Sequence, residues 1–284
     1  MLNRLQANNG VVYLTSARLG AQGVPHAFST RIGGVSPAPF ASLNLGRHSS
    51  DAAQDSAENL QANFRLFQAA IGADRLPLAW VKQVHGAGIA ILRSEPEGEY
   101  SETLSAELND RFRGQTEADA VISDQPGVLV CIRIADCVPI LLTGPHGHVV
   151  GAVHAGWRGI VAGVVGRAVA AMTAFGIHPT AITAAIGPAI GPDAFEVGSQ
   201  VAAEFEQAEL AEAVLKPQVG GKPHIDLCAA VQKQLATAGV VQIDTCNEPS
   251  FCTYSNQEAF FSHRRDGPVT GRMAAVIAAI SRES

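Results

Sequence analysis

Short, mostly apolar runs of strand length recur along the chain, at 78–84, 88–92, 128–134, 138–142, 149–153 and 181–186. Each is too short for an ordinary buried helix and reads as a strand. Stretches with helical spacing alternate with them. The segment 56–71 carries Leu60, Phe64, Phe67 and Ile71 on one face. The segment 160–175 is apolar nearly all round, as a buried helix would be, and Gly176 and Pro179 close it. The segment 199–210 repeats the spacing with Val201, Phe205 and Ala208. Asp226 reads as the N-cap of a helix carrying Leu227, Val231 and Leu235. Thr270 reads as the cap of a last helix through Met273, Val276, Ile277 and Ile280. This mixture predicts an α+β or α/β chain with strands enough for several sheets.

Composition narrows the class. With 284 residues, 47% of them hydrophobic, the chain can bury a sizeable core without a disulfide or metal staple. No repeat or low-complexity block interrupts it. The segment 93–115 holds Glu95, Glu97, Glu99, Glu102 and Glu107, and reads as a surface excursion. Motifs on both sides of it belong together, so one domain over 1–284 is expected. A net charge of −6 with no Lys/Arg run excludes nucleic acid as an expected partner. The first ten residues lack an apolar signal region, and the apolar stretch 159–177 carries Arg167 near its centre. Neither an export signal nor a membrane span is expected. The odd count of five cysteines then reads as reduced thiols in a cytoplasmic chain.

Three segments are chemically loaded. They are Lys82-Gln83-Val84-His85-Gly86, Ala135-Asp136-Cys137-Val138-Pro139 and Val153-His154-Ala155-Gly156-Trp157-Arg158-Gly159. Each offers one soft or borderline metal ligand beside glycine, proline or a strand end. Zinc accepts imidazole and thiolate together, and catalytic zinc usually takes three protein ligands with one position open. Spacing alone does not establish a site. His85 and Cys137 lie 52 positions apart and Cys137 and His154 lie 17 apart, unlike paired structural zinc cysteines. On spacing, each histidine is equally an ordinary hydrogen-bonded one, and Cys137 a small buried hydrophobe.

The three segments, together with Phe28-Ser29-Thr30-Arg31-Ile32-Gly33-Gly34-Val35-Ser36, Ala41-Ser42-Leu43-Asn44-Leu45-Gly46, Ile186-Gly187-Pro188-Ala189-Ile190-Gly191-Pro192, Phe195-Glu196-Val197-Gly198 and Phe260-Phe261-Ser262-His263-Arg264-Arg265-Asp266-Gly267, carry a resemblance. Nearly end to end, the chain resembles the YfiH-like, laccase-domain family. The resemblance implies an α+β fold, a four-layer α/β/β/α sandwich with mixed sheets. It implies a metal, zinc or alternatively copper, on His85, Cys137 and His154. The implied activities are phosphorolysis of adenosine, inosine, guanosine and methylthioadenosine, and deamination of adenosine. Copper-dependent polyphenol oxidation and peptidoglycan-precursor editing are also attached to the family. The chain departs from the pattern at His263 (often tyrosine), Ile134 (often threonine), Ser49-Ser50 (often Val-Gly) and in a longer 93–115 segment.

The expected substrates are therefore purine nucleosides and phosphate, handled by a monomer or weak homo-oligomer. Cys137, His85, His154 and Asp136 are the expected catalytic residues. Arg31 and Arg158 are candidates for phosphate, since arginine suits oxyanions, and equally for structural pairing. Asn44 and His48 are candidates for substrate contact, or for a turn and a solvated histidine. Gln83 and Asp136 adjoin ligands and are candidates for orienting them. Asp136, Asp119 and His263 are candidates for protonating the leaving purine. Arg264, Arg265 and Asp266 read as a solvated charge group. Cys131, Cys228, Cys246 and Cys252 are not read as ligands. Rival readings are a cysteine hydrolase or amidase built on Cys137, a copper phenol oxidase, and a metal-binding sensor without turnover.

Overall fold

The apolar runs pair into two mixed sheets in the computed structural model, which describes residues 1–47, 53–74, 76–94, 112–216, 221–246 and 248–281. A seven-stranded sheet has the order β1 (Leu2–Gln6), β2 (Val12–Ser16), β3 (His26–Ser29), β15 (Met273–Ala278), β8 (Leu129–Ile134), β4 (Leu78–Lys82), β6 (Arg113–Glu117). A six-stranded sheet has the order β14 (Gln242–Asp244), β11 (Thr183–Ile186), β9 (Val138–Thr143), β10 (Val150–Ala155), β7 (Ala120–Ser123), β5 (Ile89–Leu92). Strands β12 (Val214–Leu215) and β13 (His224–Ile225) form a separate two-residue pair. In the seven-stranded sheet β4 runs parallel to β8 and β6; in the other, β5 runs parallel to β7 and β11 to β14.

Helices α1 (Ala57–Ala70), α2 (Trp157–Val161), α3 (Val164–Thr173), α4 (Ser199–Gln207) and α5 (Leu227–Thr237) fill the connections. Ser56 Oγ accepts the Asn59 N–H and Asp226 Oδ1 the Ala229 N–H, so both are side-chain N-caps. The helical stretch expected at 160–175 forms as two helices, α2 and α3. Gly163, at φ +77°, turns the chain between α2 and α3, a conformation glycine adopts without steric cost.

The helix expected after Thr270 does not form. Met273–Ala278 is β15, a central strand whose six residues are all buried. A six-residue apolar run with no polar face has no period that separates a buried strand from a buried helix. The described end of the 93–115 segment also differs from a plain excursion: Phe112 is buried and β6 follows as an edge strand. Residues 95–111 of that segment lie outside the described residues.

Alternation along the strands divides the core. On β9, Ile140 and Leu142 pack with helical residues Val165, Val169, Phe205 and Leu235, whereas Leu141 packs toward the other sheet with Phe28, Ile132 and Ile277. On the far face of the seven-stranded sheet, Leu129, Cys131 and Val276 pack with Phe67 of α1 and with Leu43 and Leu45. The chain is thus a mixed α/β protein with two main mixed sheets plus helices. Among the described residues no helix is long and apolar enough to cross a membrane.

Candidate metal centre

Strand register assembles the site. His85 follows β4, Cys137 sits in the tight connection from β8 to β9, and His154 lies near the end of β10. Pairing of β10 with β9 sets His154 opposite Pro139, two residues beyond Cys137. Pairing of β10 with β7 sets Val153 opposite Ala120, which brings Asp119 beside His154. One ligand atom from each of His85, Cys137 and His154 lies within 4.8 Å of the others. The two imidazoles meet edge-on, centroids 4.9 Å apart.

Asp119 organises this cradle from beneath. It is fully buried. Its Oδ1 accepts from His154 Nδ1 at 2.8 Å and from the His85 N–H at 2.9 Å. Its Oδ2 accepts the Gly86 N–H at 2.6 Å, and its carbonyl accepts the His154 N–H at 2.7 Å. Because a carboxylate only accepts, Nδ1 carries a proton, and Nε2 is the ring nitrogen left free to face Cys137 or a metal. Burial pushes the Asp119 carboxyl up, but the hydrogen bond and charge of His154 and the two N–H bonds outweigh it and leave its pKa lowered. It therefore does not serve as a proton donor near neutrality.

Burial likewise pushes the Cys137 thiol up, yet the charge of His154 and hydrogen bonds from both histidines hold it at about 6. His154 is pulled down by burial but raised to about 9 by Cys137 and Asp119. Each partner favours the charged form of the other, a thiolate beside an imidazolium, and a metal that took both ligands would displace the second imidazole proton. His85 and Asp136 both have left-handed backbones, φ +59° and +96°, an uncommon state for residues with side chains, and one that recurs at functional sites.

The donor set fits zinc, and would also take copper. Space at the cradle agrees. A Cβ on Gly156 would lie 3.1 Å from Cys137 Sγ, 3.1 Å from His85 Cδ2 and 3.8 Å from His154 Cε1. The bare backbone there keeps the space beside all three ligands clear. Exposure rises from buried His154 through Cys137 to exposed His85, so the cradle opens on the His85 side.

The other sequence candidates divide. Asp136 is buried beside Cys137; its carboxylate accepts from Thr253 Oγ1 at 2.6 Å and the Arg264 N–H at 2.7 Å. Gln83 exchanges two 2.8 Å hydrogen bonds with the backbone of Arg133, tying the His85 turn to β8. Asn44 is fully buried; its Oδ1 accepts the N–H groups of Gly46 and Arg272, and its Nδ2 donates to Asp55. Arg31 donates Nε to the Ala41 carbonyl and Nη1 to that of Gln257, over the Phe261 ring. Arg158 is exposed and lies over the Trp157 ring. His48 lies outside the described residues. His263 is exposed at the start of the single-turn helix His263–Asp266.

The expectation of a solvated 264–266 group holds for Arg264 and Asp266, which are exposed, and is corrected at Arg265. Arg265 donates to the carbonyls of Thr253, Tyr254 and Phe260 and pairs with Asp266, with its side chain only 17% exposed. A guanidinium with five donors can close several loops at once, and here it does. Sequence reasoning missed the organising role of Asp119 and missed Arg272 altogether. Burial pulls the Arg272 guanidinium below its ordinary value, while Asp136 and Cys137 raise it, which marks both as its electrostatic neighbours. The sole sequence signal for Asp119 is a carboxylate set directly against the apolar run Ala120–Ile122. For Arg272, the assumed last helix hid its place beside a strand end.

Two mixed sheets carrying a carboxylate-braced His/Cys/His cradle at their strand ends define a mixed α/β protein with a candidate metal centre. The chain belongs to the family described as multi-copper polyphenol oxidoreductase laccase, whose model matches residues 25–280, and within it to the YfiH-like proteins. It is 38% identical over 260 residues to a purine nucleoside phosphorylase of Deinococcus radiodurans, covering 92% of this chain and 91% of that protein. It is 39% identical over 258 residues to the purine nucleoside phosphorylase YfiH of Escherichia coli, covering 90% and 94%. The crystal structure of YlmD from Geobacillus stearothermophilus superposes with a TM-score of 0.82 at 31% identity, covering 98% of this chain and 99% of that one.

Proposed function

We propose that this chain is a zinc-dependent purine nucleoside phosphorylase whose metal is held by His85, Cys137 and His154, with deamination of adenosine and phosphorolysis of methylthioadenosine at the same site. The observation that carries the reading is the Asp119-braced cradle in a chain 38% identical to a purine nucleoside phosphorylase. Zinc, when bound, supplies Lewis acidity, polarising oxygen-bearing groups and acidifying water. The protein's own groups do the rest. Asp119 fixes the His154 tautomer and the His85 turn. Asp136 and Gln83 hold the two connections that present Cys137 and His85. The departing purine needs a proton, and a placed general acid contributes roughly 10²–10⁴-fold. Asp119 and Asp136 are committed as acceptors, which leaves His263, next to the Arg264 N–H that meets Asp136, as the candidate acid.

The three core clusters support a four-layer order, helix, sheet, sheet, helices, in one domain over 1–284, because each joins neighbouring layers. Chromatography of adenosine reactions with and without phosphate tests the activity. Adenine released only with phosphate, beside some inosine, is expected. Zinc-loaded protein that turns over neither adenosine, inosine nor methylthioadenosine would refute it.

A cysteine hydrolase is favoured by one observation, the Asp119–His154–Cys137 relay, which has the form of an oriented base beside a nucleophile. Iodoacetamide labelling separates the two readings. A zinc ligand resists alkylation until a chelator removes the metal, whereas a nucleophile labels in fully metallated protein and activity dies in step.

A further inference from the structure

We propose that Arg272 is the anion-binding residue of this site and seats the phosphate consumed in phosphorolysis; the identity of the anion rests on the function proposed above. Arg272 immediately precedes β15. Its Nη1 donates to the carbonyls of Thr270 and Gly271, both at 3.0 Å, which fixes the guanidinium plane. Its Nε and Nη2 bond to none of the described residues, and neither is sealed from solvent. Those two N–H groups form one edge of the guanidinium, the fork that matches two oxygens of a phosphate.

Arg272 makes no ion pair among the described residues. Of its two acidic neighbours, Asp136 accepts instead from Thr253 and Arg264, and Cys137 is a cradle ligand. Two negative groups lie near the cation, but neither contacts it, so the open edge of the guanidinium is left to a ligand. The surroundings hold it in place. The Arg272 N–H donates to Asn44 Oδ1 at 2.9 Å. Asn44 is gripped in turn by Asp55 and Asn63, and all three are buried. A Cβ on Gly46 would meet Arg272 Cβ at 3.1 Å and Arg133 Cδ at 2.7 Å, so bare backbone at 46 lets Arg272 lie there. The two arginines suggested by the sequence are less suited. Arg31 has committed Nε and Nη1 to carbonyls, and Arg158 stands exposed on an indole face.

Calorimetric titration with inorganic phosphate, without nucleoside, tests this on full-length protein of measured zinc content. Arg272→Met is expected to weaken phosphate binding roughly 10- to 100-fold at unchanged zinc content. Arg272→Lys keeps the charge but not the fork, and is expected to bind several-fold more weakly than the parent; it serves if the Met variant fails to fold. Parent-like phosphate affinity in a folded Arg272 variant, or no phosphate binding by the parent, overturns the assignment. So does a loss that follows Arg158→Met instead. Arg272-dependent phosphate binding without any release of purine would sink the phosphorylase reading and leave the anion site standing. Phosphate-dependent purine release with binding indifferent to Arg272 would do the reverse.

Discussion

At Asp119 a single buried carboxylate receives the ring of one ligand and the backbone of another. Asp119→Asn puts an amide NH₂ where one of two oxygens accepted, so at least one donor among His85, Gly86 and His154 loses its partner. Zinc affinity should fall roughly 10–100-fold, read by competition with a chromophoric chelator. Unchanged affinity would mean that the ligands are held by strand register alone. Gly156→Ala tests the space beside the ligands. Residue 156 has φ −74° and ψ 163°, which alanine adopts freely, so any effect is steric. Zinc occupancy should drop while the melting temperature stays near that of the parent; full occupancy would show that the cradle has room to spare. By spacing alone each histidine read equally as an ordinary hydrogen-bonded one and Cys137 as a small buried hydrophobe; the three candidate ligands were legible through the family resemblance. Asp119 was not, because its role depends on a bond to a residue 35 positions away.

Between α1, the loop that carries Arg31 and Asn44, and the start of β15 runs a buried polar network. Asn63 donates to Ser36 Oγ and to the carbonyls of Ser42 and Asn44, and accepts the Val35 N–H. Asn63→Ala leaves several buried groups unpaired and should cost about 2–3 kcal/mol in urea unfolding. A loss below about 0.5 kcal/mol would mean that water replaces the amide. Asp55 anchors the same network, and its pKa is lowered: burial raises it, but hydrogen bonds from Ser36, Asn59, Asn44 and Ser56 prevail. Its contribution is then full above the unfolded-state value of roughly 3.9 and is lost as pH falls through the lower folded value. Asp55→Asn should lose stability at neutral pH and show a flatter acid limb. An acid limb parallel to the parent's would remove Asp55 from the account. Elements with a polar face or a cap, such as α1 and α5, were readable from sequence. The strand β15 was not, since both its faces are covered and its alanine-rich run has no distinguishing period.

At the scale of the molecule, the apolar core of the described residues reaches well beyond the candidate cradle. Apolar clusters span both sheets and the helices, while the cradle sits at strand ends and opens to solvent. Chelation should therefore abolish turnover and shift the melting temperature little; cooperative collapse on chelation would make the metal structural. The central claim is that His85, Cys137 and His154 together hold one ion. It is met most directly by the zinc-to-protein ratio of untagged protein purified without added metal, set beside Cys137→Ala, His85→Ala and His154→Ala. About one zinc per chain is expected in the parent, none in the cysteine variant and strongly reduced amounts in the histidine variants, all of them folded. Stoichiometric zinc in all three folded variants would contradict it.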